Sequence, residues 1–397
     1  MRKFGNILTS TLYKSFVFFF FLTSCKNYND VYYTYQVPHK LEDDIKVGSL
    51  SQVNIDTTLL YQSIKRIKGG ALGQIHSILI YKNNLLVLEE YFSGNTYSWE
   101  APEYFGEYVS WNTSSLHDIM SVTKSLTSAC IGIAINRGLI KSVDQSIFDY
   151  LPNHQHLKAN GKDKITIEHL LTMTSGLGWT EWGTSYKSIE NPIIGIWYSD
   201  KDPISFILEG SMEYEPGTHF SYYGGNQIIL GEILKNATGL DIDKFSKEYL
   251  FKNMKIDAVK WPLKFENGVI EAAGSVKMKP RDMMKFGGLY LNGGKWNKKE
   301  YISQDWINKS SEPYLGNRSI NIPGEDSGKV GYGYSWWTKN IEIKDKEITI
   351  YWALGWGGQK IIVMPAFEAV IVFTGGNYNS GTDQFKVLED YIIPSME

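Results

Sequence analysis

Ser121 and Lys124 stand three residues apart in Ser121-Val122-Thr123-Lys124, the one Ser-x-x-Lys of this chain. Residues at i and i+3 share one face of a helix. An amphipathic helix is expected over residues 121–137, ended by Gly138. A hydroxyl at the mouth of that helix would sit beside an amine able to take its proton. That is the wiring of an activated serine nucleophile. Composition alone supplies about one or two such pairs in a chain of this size, so the pair gains meaning from what accompanies it.

The elements that must position this pair follow from periodicity. Residues 75–92 read as a β-hairpin around Lys82-Asn83-Asn84. Residues 165–173 and 226–237 read as helices, the second stopped by Thr238-Gly239. A further helix falls within 275–291. After Gly331 come short β-rich runs at 334–338, 346–353, 359–364 and 369–374, and then helical spacing over 382–393. Strands first, helices in the middle and strands last predict an α+β fold. Its antiparallel sheet is made from both chain ends and flanked by helices, with an inserted mainly helical region. A cleft between the two parts is the expected place for chemistry.

The chain has 397 residues, 43% hydrophobic and 21% charged, enough for a sizeable core. A net charge of −3 without a Lys/Arg stripe argues against a nucleic-acid partner. Arg2 and Lys3 precede an apolar run, residues 16–22, too short to span a bilayer. The run ends in Leu22-Thr23-Ser24-Cys25, which is similar to a bacterial lipoprotein signal. That likeness implies cleavage before Cys25, lipid on its thiol, and an exported protein anchored at the periplasmic or cell-surface side of a membrane. The expected organisation is a signal peptide at 1–24, a polar tether at 25–59 and a catalytic domain at 60–397. Cys130, within Ser128-Ala129-Cys130-Ile131, reads as a packing residue, so no intrachain disulfide is expected. His154-Gln155-His156 lacks the further ligands of a metal site and reads as a loop. His117 reads as support for the chain entering the nucleophile helix.

Four further segments accompany Ser121-x-x-Lys124 in order. Thr174-Ser175-Gly176-Leu177 follows a helical pattern. Glu215-Pro216-Gly217-Thr218-His219-Phe220-Ser221-Tyr222 precedes another. Pro280-Arg281-Asp282-Met283-Met284-Lys285-Phe286-Gly287 leads to Tyr290-Leu291-Asn292-Gly293-Gly294. Leu354-Gly355-Trp356-Gly357-Gly358-Gln359 comes last. Over residues 60–395 the set resembles the serine β-lactamase-related family, which includes class C β-lactamases, D,D-peptidases, esterases and 6-aminohexanoate-dimer hydrolases. The resemblance implies a β-lactamase/transpeptidase-like fold. It implies Ser121 as the acylated nucleophile, Lys124 as its proton acceptor and Tyr222 as the catalytic tyrosine, with Tyr223 the neighbouring alternative. A phenol beside a lysine ammonium would lose its proton more easily. The main-chain N–H groups of Ser121 and Trp356 match the oxyanion hole. Glycines 355, 357 and 358 would let substrate lie close to the strand. No metal or organic cofactor is required.

Two departures narrow the expected substrate. Tyr222-Tyr223-Gly224 stands where β-lactamases and D,D-peptidases have Tyr-x-Asn. Ala353-Leu354-Gly355 replaces a triplet beginning with Lys or His, a partner for a substrate carboxylate. The pattern is closer to the esterase and 6-aminohexanoate-dimer hydrolase branch. Trp179, Trp182, Tyr186, Tyr223, Gly355 and Trp356 are the expected pocket, suited to an apolar or uncharged acyl group of a small ester or amide. Two other readings stay open: a D,D-peptidase or β-lactamase, and a sensor domain of the same fold that binds without turnover.

Overall fold

The computed structural model describes residues 31–344 and 346–397. The expected signal segment and Cys25 lie outside the described residues. Strands β1 (Ile75–Lys82) and β2 (Leu85–Tyr91) form the hairpin. Asn83 and Asn84 turn it with φ of 51° and 61°, the left-handed pair whose twist matches that of the flanking strands. A smaller ribbon follows, β3 (Ser93–Tyr97) on β4 (Phe105–Ser110).

The remaining strands come from the other chain end. They are β5 (Ile320–Asn321), β6 (Lys329–Tyr332), β7 (Trp337–Ile343), β8 (Lys346–Gly355), β9 (Gln359–Met364) and β10 (Ala369–Gly375). The main sheet is antiparallel throughout, in the order β2-β1-β10-β9-β8-β7-β6-β5. Both chain ends thus meet at the β1–β10 ladder, as the order of strands and helices predicts.

Strand periodicity sorts the core into two halves. Ile78, Ile80, Ile362, Ile371 and Phe373 face α1 (Thr57–Lys68) and the C-terminal helical segment with Phe385 and Leu388. Leu79, Ala353, Ile361, Val363 and Val372 face α2 (Val122–Asn136) and the rest of the helical region. That region includes α3 (Gly225–Thr238) and α4 (Pro280–Leu291).

Two expectations change. Helix α2 is not amphipathic: every residue from Val122 to Ala134 is buried. Its hydroxyls are tolerated because they donate internally: Ser125 Oγ to Ser335 O (2.6 Å), Thr127 Oγ1 to Ala272 O (2.7 Å) and Ser128 Oγ to Tyr334 O (2.9 Å). Residues 31–59, expected as a tether, lie against the domain. Ile45, Leu50, Val53 and Ile55 are buried among the polar residues that suggested solvation. Asp43 pairs with buried Arg281 at 2.9 Å.

Candidate active site

Ser121 opens α2 at φ −65° and ψ −3°, and its hydroxyl caps no backbone group. Met120 before it holds φ 47°, a left-handed conformation costing a non-glycine residue roughly 1–2 kcal/mol. This sharp entry leaves Ser121 lining a cleft of 650 Å³, within the usual size of a small-molecule site. One turn on, buried Lys124 directs Nζ at Ser121 Oγ (2.9 Å) and at the carbonyl of Ala273 (3.1 Å). The same nitrogen lies 4.9 Å from the ring centroid of Tyr222.

Tyr222 precedes α3, and its ring is stacked by Trp182 (centroids 5.2 Å apart) and Trp337 (5.8 Å). Burial pushes its phenol well above the ordinary tyrosine range, and the charge of Glu181 adds to this. A side-chain hydrogen bond with Ser121 works the other way. The expected easing of proton loss is therefore reversed: Tyr222 keeps its proton at neutral pH.

Trp356 sits in the turn between β8 and β9 and lines the same cleft as Ser121. The fully buried side chain of Gln359 holds that turn. Its Nε2 donates to Trp356 O (3.1 Å) and Gly375 O (2.7 Å), and its Oε1 accepts from Gly375 N (3.0 Å). The neighbouring glycines make room for protein rather than substrate. A Cβ on Gly355 would lie 2.2 Å from Ile119 O, one on Gly357 2.5 Å from the Tyr378 ring, and one on Gly358 2.2 Å from Gln384.

The expected pocket residues divide. Tyr186 lines the cleft and its ring lies 5.3 Å from that of Trp356. Trp182 stands behind Tyr222. Trp179 instead packs on Phe206 and donates to Ile207 O (3.0 Å). Tyr223 is a core residue at 1% exposure, and its buried hydroxyl has no hydrogen-bond partner among the described residues. His117 bonds His76 (2.9 Å) and the carbonyl of Asp118 (3.0 Å), supporting the approach to α2. Cys130 is buried, which raises its thiol and removes it as a nucleophile.

Two carboxylates of the site carry no motif. Glu271 is buried, and its oxygens accept from Ala273 N (2.8 Å) and Gly274 N (3.0 Å). Burial raises its carboxyl, against the lowering effect of those N–H groups and of Lys124. Glu181 accepts from Tyr186 Oη (2.9 Å) and from Gly224 N. A Cβ on Gly224 would stand 2.8 Å from both Glu181 Oε1 and the Ala273 methyl, so the absent Asn of Tyr-x-Asn has no room here. A lone acid among small apolar residues, Glu271-Ala272-Ala273-Gly274, is the signal that could have revealed the first of the two.

The Beta-lactamase family model matches residues 68–384. The chain belongs to that family. This Beta-lactamase family member is 22% identical over 218 residues to a protein of Salmonella enteritidis PT4 described as a D-alanyl-D-alanine carboxypeptidase. The match covers 52% of this chain and 48% of the relative, so the chain spans about half the length of the curated relatives it matches. Its fold is shared with a Bacillus anthracis protein described as a 6-aminohexanoate-dimer hydrolase (TM-score 0.64, 22% identity, 82% of this chain and 79% of that one). A family VIII carboxylesterase is also similar (TM-score 0.61, 15% identity, 85% and 97%). With both of these proteins the likeness is one of fold, and the family itself rests on the match over residues 68–384.

Proposed function

We propose that the protein hydrolyses a small ester or amide through an acyl-enzyme on Ser121. The contact between Lys124 Nζ and Ser121 Oγ at 2.9 Å carries this reading. Lys124 accepts the hydroxyl proton while Oγ attacks the substrate carbonyl. The N–H groups of Ser121 and Trp356 receive the developing oxyanion, a stabilisation of several kcal/mol in such sites (~3). Tyr222, held as the phenol, gives its proton to the leaving oxygen or nitrogen and regains one from Lys124. Water then cleaves the acyl-enzyme, its proton passing along the same groups.

The decisive experiment is a fluorophosphonate probe and short-chain nitrophenyl esters, with Ser121→Ala alongside. Labelling and turnover should both vanish in the variant. Labelling without turnover would favour a sensor, and no labelling of the wild type would remove Ser121 as nucleophile. Nitrocefin tests the β-lactamase reading, which Ala353 and the crowded Gly224 disfavour. From the sequence around Cys25 we also propose a lipid-anchored, exported protein. Metabolic labelling with an alkyne fatty acid should be lost in Cys25→Ala, and persistence of the label would overturn the anchor.

A further inference from the structure

We propose that one wall of the cleft is an apolar subsite, built by Ile193, Trp197, Tyr198 and Leu263, that takes an uncharged aliphatic or aromatic group of the substrate. The proposal rests on the serine-hydrolase reading above and names its substrate class.

Charge is the first argument. The cleft is lined by Asp118, Glu181, Glu271, Lys124 and Lys277 besides its tyrosines. Lys277 is bound to Asp118 at 3.0 Å. Lys124 is held by Ser121 and Ala273. Both glutamates are satisfied by backbone N–H groups and Tyr186. Among the cleft-lining residues no cation is left to meet a substrate carboxylate. An anion entering would lose water without gaining a cationic partner, and would meet more carboxylates than ammonium groups.

Shape is the second argument. Trp197, Tyr198 and Leu263 remain 37%, 69% and 47% exposed at the mouth of this cleft. Apolar surface gathered beside a pocket, rather than scattered, marks a ligand-binding wall. The wall is rigid. Trp197 stacks on Phe265 with centroids 4.0 Å apart. The carbonyl of Leu263 accepts from Glu271 N (3.1 Å), so the hairpin that presents Leu263 outside carries Glu271 and Ala273 toward Lys124 inside. An apolar group on this wall would be continuous with a carbonyl at Ser121.

Two nitrophenyl and alkyl ester series test this, one lengthening the acyl chain from acetate to octanoate and one lengthening the alcohol of an acetate. In the series that uses the wall, kcat/KM should rise by up to about fourfold per buried methylene. A nitrophenyl hemisuccinate should be at least tenfold poorer than the butyrate. The octanoate-to-acetate ratio, or its alcohol-side equivalent, should fall at least tenfold in Trp197→Ala/Leu263→Ser. Flat profiles in both series with acetate still turned over, or a hemisuccinate as good as the butyrate, would overturn the subsite while leaving the nucleophile intact. Should no ester be turned over, n-alkyl methyl ketones read the wall without chemistry. The rise in Tm should grow with chain length in the wild type and not in the double variant; a rise independent of length overturns the subsite. Loss of the nucleophile reading shows separately, as absent fluorophosphonate labelling.

Discussion

Tyr222 and Lys124 have different tasks because their surroundings differ. Burial and the charge of Glu181 keep the proton on Tyr222, so the proposed mechanism uses it as a donor rather than a base. Tyr222→Phe should therefore lower kcat by about 10²–10⁴-fold while Ser121 still labels with fluorophosphonate; loss of labelling would show that the phenol is needed for attack itself. A second residue-scale test concerns His76 and His117, both pushed below the ordinary 6.5 by burial. The unfolded chain takes up protons on both imidazoles below pH 6.5, which the folded state resists. Stability is then full above that pH and is lost as pH falls through the depressed values. The slope should reach at most about 1.4 kcal/mol per pH unit for each histidine. Urea titrations at pH 7, 6 and 5 would show it, and a double His→Gln variant should flatten it. The sequence made Ser121 and Lys124 legible through spacing, and Tyr222 through its place after Pro216-Gly217. It could not separate Tyr186 from Tyr223 or Trp179. An aromatic side chain reads the same whether it faces a cleft or a core. Glu181 escaped because the Gly224 N–H it accepts from is brought near only by the fold, and Glu271 because its local N–H partners, Ala273 and Gly274, form no recognisable motif.

Each turn or helix around the site is gripped from behind. Gly224 belongs to a tight junction of α3, Glu181 and Ala273. Gly224→Asn, which restores Tyr-x-Asn, should destabilise the protein by about 1–3 kcal/mol through overpacking. It should bring no nitrocefin hydrolysis; a stable variant that cleaves nitrocefin would contradict the crowding. Gln359→Leu keeps the bulk but releases the β8–β9 turn. The expected loss is in kcat, up to ~10²-fold for a misplacement near 1 Å, with KM little changed. An unchanged kcat would mean that the turn holds its shape without the amide. Periodicity located most elements because their local and tertiary preferences agree. The helix expected within 275–291 does fall there, over Pro280–Leu291, and Lys277–Met278 before it pairs with His117–Asp118. Periodicity failed where a turn intervened. The strand expected at 334–338 begins at Trp337, after Ser335 turns the chain with φ 60°.

At the scale of the whole molecule, Arg281 fastens the N-terminal segment to the domain. Its guanidinium is buried, donating to Glu89 at 2.8 and 2.6 Å, to Asp43 at 2.9 Å and to the carbonyl of His39 at 2.6 Å. Removing one partner of a buried pair strands the others. Arg281→Ala should therefore lower unfolding stability by about 3–5 kcal/mol and open residues 31–55 to limited proteolysis. Resistance equal to the wild type would show that the apolar contacts of Ile45, Leu50 and Val53 suffice. The acidic residues that made this stretch look solvated are in part the ones that dock it, which composition could not distinguish.

The absence of a solvent face on α2 bears on how such a fold can diversify. Every position from Val122 to Ala134 is packed or hydrogen-bonded, so each change there is a core change with a stability penalty. Trp197, Tyr198 and Leu263 carry no such burden. Selection for new substrates should therefore accumulate substitutions at the rim and leave the spine untouched. A randomised library sorted for activity on unfamiliar esters should yield its survivors from 193–198 and 262–265, with the helix behind Ser121 almost unvaried.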